Sequence, residues 1–139
     1  NSIPYMIDYL TAVLPVTHPL AKADNLPFEQ LRGETFLLFP EHSFINDLCI
    51  RECRNAGFEP HIAYTGNRGA TLIDLVRNGA GITLMMHHSA RQENDSSLAF
   101  IPVTPGIYSY ISLNYAKEKP LSPQAESFVR YVKAHKRDF

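Results

Sequence analysis

Three short stretches of the chain carry residues able to hold a small molecule. His42-Ser43-Phe44 lies between an apolar run and a segment of helical periodicity. Gly66-Asn67-Arg68-Gly69-Ala70-Thr71 precedes a second such segment, and Met86-His87-His88 ends a third apolar run. Ser43 is placed to cap a helix, its hydroxyl accepting from a first-turn N–H. A helix start offers spare backbone N–H groups and the positive end of the dipole, which suit a carboxylate or phosphate. Asn67 and Thr71 can hydrogen-bond a ligand, Arg68 can pair with an anion, and Phe44, Met86 and His87 stand where they would line its walls. The competing reading is helix capping alone for Ser43, Asn67 and Thr71, and a solvated surface for Arg68.

Catalytic chemistry finds no comparable foothold. The chain holds no Gly-x-Ser-x-Gly, no phosphate loop and no paired carboxylates at a strand end. Asp47 and Asp74 fall near expected helix starts, where compensation of the dipole accounts for them. Cys49 and Cys53, with His42, His87 and His88, invite a metal reading. A zinc site needs three or four ligands converging at about 2.0–2.3 Å. The two cysteines instead fall on the apolar side of a helix, where a thiol packs as a small hydrophobe. Their Cβ atoms would be about 5–6 Å apart, and a disulfide needs roughly 3.5–4.5 Å. No basic neighbour clearly lowers a thiol pKa. The expectation is no catalytic residue, no metal and no cofactor, in a reducing, cytoplasmic setting.

The elements that position these stretches are legible from periodicity. Leu72, Leu75 and Val76 take helical spacing, Gly79 stops the helix, and Gly81 is read as a tight turn into the buried strand Ile82–Met86. Before them come a strand Leu10–Val16 interrupted by Pro15, a strand Thr35–Phe39, a helix from Phe44 to Ala56 stopped by Gly57, and a strand His61–Thr65. After them come a short helix His87–Gln92, a polar Glu93–Ser97 loop, and strands Leu98–Val103 and Ile107–Tyr115. Ser122-Pro123 opens a last amphipathic helix with Ala125, Phe128, Val129 and Val132 on one face, and Lys133, His135, Lys136 and Arg137 at its end. Strands alternating with helices predict an α/β fold with a mostly parallel sheet, whose ligands collect at the carboxyl ends of its strands.

Composition excludes several classes. A 139-residue chain with 45% apolar residues suits one domain or one lobe of a larger protein. A net charge of −1 gives no broad pull toward nucleic acid or acidic membranes. No run approaches the ~18 apolar residues of a membrane span. The opening Asn1-Ser2-Ile3-Pro4 reads as the middle of a longer protein.

Five pieces, in order and spacing, resemble the C-terminal half of the effector-binding domain of LysR-type transcriptional regulators. They are His18-Pro19-Leu20-Ala21; the run from Leu26 to Phe39; Ala56-Gly57-Phe58-Glu59-Pro60; the run from Asp74 to Leu84; and Leu121-Ser122-Pro123-Gln124-Ala125 with Phe128. The resemblance implies a three-layer, Rossmann-like lobe of the periplasmic-binding-protein type 2 architecture, with a small effector held in an interlobe cleft. Residues 1–9 would be a linker or edge from the first lobe, 10–115 the second lobe, and 116–139 a closing helix returning to the first. It further implies a homo-oligomer formed through helix 44–56 and strand 61–65, and DNA contact only through an N-terminal helix-turn-helix domain outside this chain. One departure concerns the site: Met86, followed by His87-His88, stands where the family usually has proline. A lobe of a transport system's solute-binding protein is the alternative, since both use this architecture.

Overall fold

The computed structural model describes residues 1–136; Arg137, expected in the basic cluster of the last helix, lies outside them. The chain divides into two compact units. One comprises Tyr9–Ile107, and the other Asn1–Asp8 with the chain from Tyr108 onward. Strand β1 (Ser2–Pro15) contributes to both. It starts eight residues earlier than its apolar pattern predicts and stops at Pro15. Pro4 and Asp8 obscure the alternation of its first half, which is in place because β7 (Tyr108–Asn114) pairs with it.

In the larger unit, β2 (Leu26–Pro27), β3 (Thr35–Leu38), β4 (His61–Thr65), β5 (Thr83–Met86) and β6 (Leu98–Thr104) join the later residues of β1. Hydrogen-bonded neighbours run β2-β6-β1-β5, and β3 pairs with β4. A parallel bridge between Phe36 and Ile82 ties the two sets together. β1 is antiparallel to both β5 and β6, whereas β2–β6 and β3–β4 are parallel. Five strands thus share one direction and β1 alone opposes them, giving the mostly parallel sheet that was expected.

Both faces of this sheet are covered. Leu10, Ala12, Leu14, Phe36, Leu38 and Leu84 pack with Leu48, Cys49 and Cys53 of α1 (Phe44–Asn55). Val13, Leu37 and Met85 point the other way, onto Leu72, Ile73 and Val76 of α2 (Gly69–Arg77) and Ala90 of α3 (His87–Arg91). Strict alternation of side chains along each strand therefore feeds two separate cores. Each fully buried aliphatic contributes roughly 1.5–3 kcal/mol.

Local chemistry sets the joints. Gly57 and Gly79 take positive φ (91° and 79°), as helix stops do. Gly81 has another role than the tight turn read from the sequence: a Cβ there would run into the backbone oxygen of Thr35. The glycine lets β3 approach closely enough for Ile82 N–H to donate to Thr35 O and Leu37 N–H to Ile82 O, both at 2.8 Å. The His-Pro-Leu-Ala turn is fastened at both imidazole nitrogens. Leu20 N–H donates to His18 Nδ1 at 3.0 Å, so the proton sits on Nε2, which lies 2.9 Å from Glu34 Oε1. Arg32 closes α1 by donating to the carbonyls of Ala56 and Gly57 while lying over the Phe58 ring.

In the smaller unit, α4 (Pro123–Ala134) starts as predicted, with Ser122 Oγ accepting from Ala125 N–H at 3.2 Å. Val129 and Val132 bury against Ile3, with Tyr5, Leu113 and Leu121 alongside. Phe128, assigned to the apolar face, is 56% exposed; with Tyr131 it borders an open apolar groove shared with Tyr5, Ile111 and Leu113. No helix among the described residues is long and apolar enough to cross a membrane.

Candidate functional site

The site-forming geometry belongs to the larger unit. β3 and β4 are parallel and end together, with Leu38 opposite Thr65. β5 runs the same way and ends at Met86. The three carboxyl ends therefore lie along one sheet edge, and the next segment after each leads into α1, α2 or α3. α1 and α2 lie on opposite faces, so their amino termini flank that edge from two sides.

At the α1 end, Ser43 is the N-cap. Its extended backbone lets Oγ accept from Asn46 N–H at 3.3 Å. Capping thus uses the Ser43 hydroxyl in one direction, leaving its proton to donate elsewhere. Phe44 is 61% exposed and takes no part in the core. Sequence reasoning missed Asn46. It is only 1% exposed, and its Nδ2 donates to Phe39 O at 2.9 Å, fixing the turn that carries Ser43. The available signal was its spacing, three and seven residues before Cys49 and Cys53 of the apolar helix face. His42, just before the cap, adopts φ 66°, a left-handed conformation uncommon outside glycine and asparagine.

At the α2 end the helix begins at Gly69, three residues earlier than expected. Thr71 is therefore inside the first helical turn and not in the preceding loop. Arg68 is the cap residue, and no side chain caps this end. Asn67 and Arg68 are both exposed. Gly69 is a close-approach point, since a Cβ there would stand 3.5 Å from Met85 Cε and 3.8 Å from Phe39 Cζ. Those contacts bring the ends of β3 and β5 to the start of α2. Asp74, read as compensating a helix start, lies in the body of α2 and pairs with Arg77. Arg77 also grips Asp95, whose carboxyl falls to about 2 through the Ser97 hydroxyl, the Ser97 N–H and the guanidinium.

At the third end, Met86 is half-buried opposite Leu10. His87 is half-buried and stacks on Tyr9, ring centroids 4.5 Å apart and 15° from parallel. Tyr9 is the second residue the sequence did not single out; no local pattern links positions so far apart in the chain. The cysteines are elsewhere. Both are fully buried under α1, with sulfurs 4.0 Å apart. The Cys53 hydrogen bond and burial push the Cys49 thiol up, so it stays protonated. No group of three or more His, Cys, Asp or Glu suited to a metal ion occurs among the described residues.

The family model described as LysR substrate binding domain matches residues 1–137. The chain belongs to that family. Among curated relatives, the transcriptional dual regulator GltC of Bacillus subtilis (strain 168) is 30% identical over 122 residues, covering 87% of this chain and 41% of the relative. The regulator YwbI of the same organism is 26% identical over 136 residues, covering 97% and 45%. The chain therefore spans less than half the length of these relatives. Among solved structures, the regulatory domain of CcmR from Synechocystis PCC6803, in complex with 2-PG, superposes with a TM-score of 0.80 at 19% identity, covering 99% of this chain and 67% of that one. The effector-binding domain of QuiR, in complex with shikimate, gives 0.73 at 22%, with the same coverage. These likenesses establish the periplasmic-binding-protein-like type 2 fold. Both curated relatives are described as transcriptional regulators.

Proposed function

We propose that this chain is the effector-sensing part of a LysR-type bacterial regulator and that its site takes a small anionic metabolite. The observation that carries the reading is the convergence of three strand ends and two helix amino termini on one edge of the larger unit. Backbone N–H groups there favour carboxylate or phosphate oxygens. Ser43, Asn67, Arg68 and Thr71 supply further donors, while Phe44, Met86 and His87 form the wall. In this reading the larger unit is the second lobe. The smaller unit, with α4, belongs with a first lobe supplied by polypeptide outside this chain, and the open groove beside Phe128 and Tyr131 is where that polypeptide continues its core.

The protein would act in the cytoplasm as a homo-oligomer, with DNA held by an N-terminal helix-turn-helix domain. β4 supports the oligomer proposal: among the described residues it pairs only with β3, exposes most of its residues including Tyr64, and borders with α1 a groove of about 410 Å³. Isothermal titration on the full-length protein tests the site. A screen of small organic acids by thermal shift first identifies the ligand, since a tight ligand raises stability by mass action. Ser43→Ala and Asn67→Ala are then expected to weaken it; unchanged affinity in both removes these residues from the site.

A further inference from the structure

The stacked Tyr9–His87 pair is not explained by the core. β1 and β5 run antiparallel with Thr11 opposite Met85 and Leu10 opposite Met86. Extending that register by one residue puts Tyr9 opposite His87, and the two rings lie face to face. Alternation sends Tyr9, Thr11 and Val13 to the same side of the sheet. Val13 and Met85 are buried on that side beneath α2, and Thr11 Oγ1 donates to Met85 O at 3.0 Å. Met85 in turn reaches the first residue of α2, Gly69. The ring pair thus continues the surface that runs under the start of α2, at the edge where the strands end. Both rings are half-buried. Val13 and Leu37 on this side are aliphatic and fully buried, whereas Tyr9 and His87 are half-buried rings that carry polar atoms.

We propose that Tyr9 is a positioning residue of the effector site. Its ring fixes the plane of the His87 imidazole so that His87 meets the oxygens of a small carboxylate or phosphate ligand beside the start of α2. This inference rests on the anion-site reading above. The last torsion of a histidine side chain has broad, shallow wells, and a stacked neighbour narrows them. Loss of such a ring pair corresponds to about a three- to tenfold change in binding.

The test uses the full-length protein with isotopically labelled histidine, the His87 signal being assigned with His87→Gln. Inorganic phosphate, succinate and benzoate are titrated in turn. For at least one anion, wild type and Tyr9→Phe are expected to show the His87 signal moving with the same affinity. Tyr9→Leu, or Tyr9→Val should the leucine variant not fold, weakens that anion about three- to tenfold. In the His87→Gln background the Tyr9→Leu loss disappears, a coupling that a purely structural role would not produce. If Ser43→Ala weakens an anion that Tyr9→Leu leaves unaffected, or whose binding does not move His87, the positioning role is overturned and the anion site stands. If none of the three anions moves His87 or responds to Ser43→Ala, both fall.

Discussion

Replacing Asn46 by alanine removes a single donor from the turn that carries the site. Asn46 is 1% exposed, and its Nδ2 is 2.9 Å from Phe39 O. Without it, a carbonyl at the end of β3 loses its side-chain donor in a poorly hydrated place, which costs about 1–3 kcal/mol. The small cavity left by the truncation pushes the value toward the upper half of that range. A loss of about 2 kcal/mol lowers the melting temperature of a domain of roughly 150–250 residues by about 4–8 °C. Because Ser43 Oγ accepts from the Asn46 backbone N–H, the cap should loosen as well. Ser43→Ala alone costs about 1 kcal/mol, and the double variant should fall short of the sum, since both act on one turn. Thermal unfolding of the full-length protein, with amide exchange in the first turn of α1 as the local readout, measures this. An Asn46→Ala protein that melts with the wild type and exchanges no faster at residues 44–47 would refute the claim that this bond holds the turn.

Two further outcomes follow from the ionisable groups. Asp95 has its folded pKa lowered to about 2 by Ser97 and Arg77, against about 3.9 for a free aspartate. Its stabilising effect is therefore fully present above about pH 4 and is lost as pH falls through about 2. Melting temperature measured from pH 5 to pH 2 should fall less steeply in Asp95→Asn than in the wild type, and equal slopes would remove Asp95 as a source of acid sensitivity. Cys49 and Cys53 are fully buried, with the Cys49 thiol held protonated by Cys53 and by burial. Both should resist a thiol reagent in the native protein and react together on unfolding; labelling of the native protein at the rate of a free cysteine would contradict that packing.

What this sequence determined by itself is what acts over a few residues. The Ser43 and Ser122 caps, the Gly57 and Gly79 stops, and the apolar spacing of α1 and α2 each depend on neighbours within a turn or so, and all appear where the pattern placed them. The buried runs at β3 and β5 were legible too, because strands covered on both faces are continuously apolar. Tertiary structure decided the rest, because those features answer to partners far along the chain. The first half of β1 is a strand by virtue of β7, about a hundred residues later. Gly81 is required by the backbone of Thr35, and Asn46 is buried because it answers the Phe39 carbonyl. Tyr9 stacks on His87 because an antiparallel register brings the two distant residues together. Local rules named the helix ends; only the pairing of distant strands put them on a common edge.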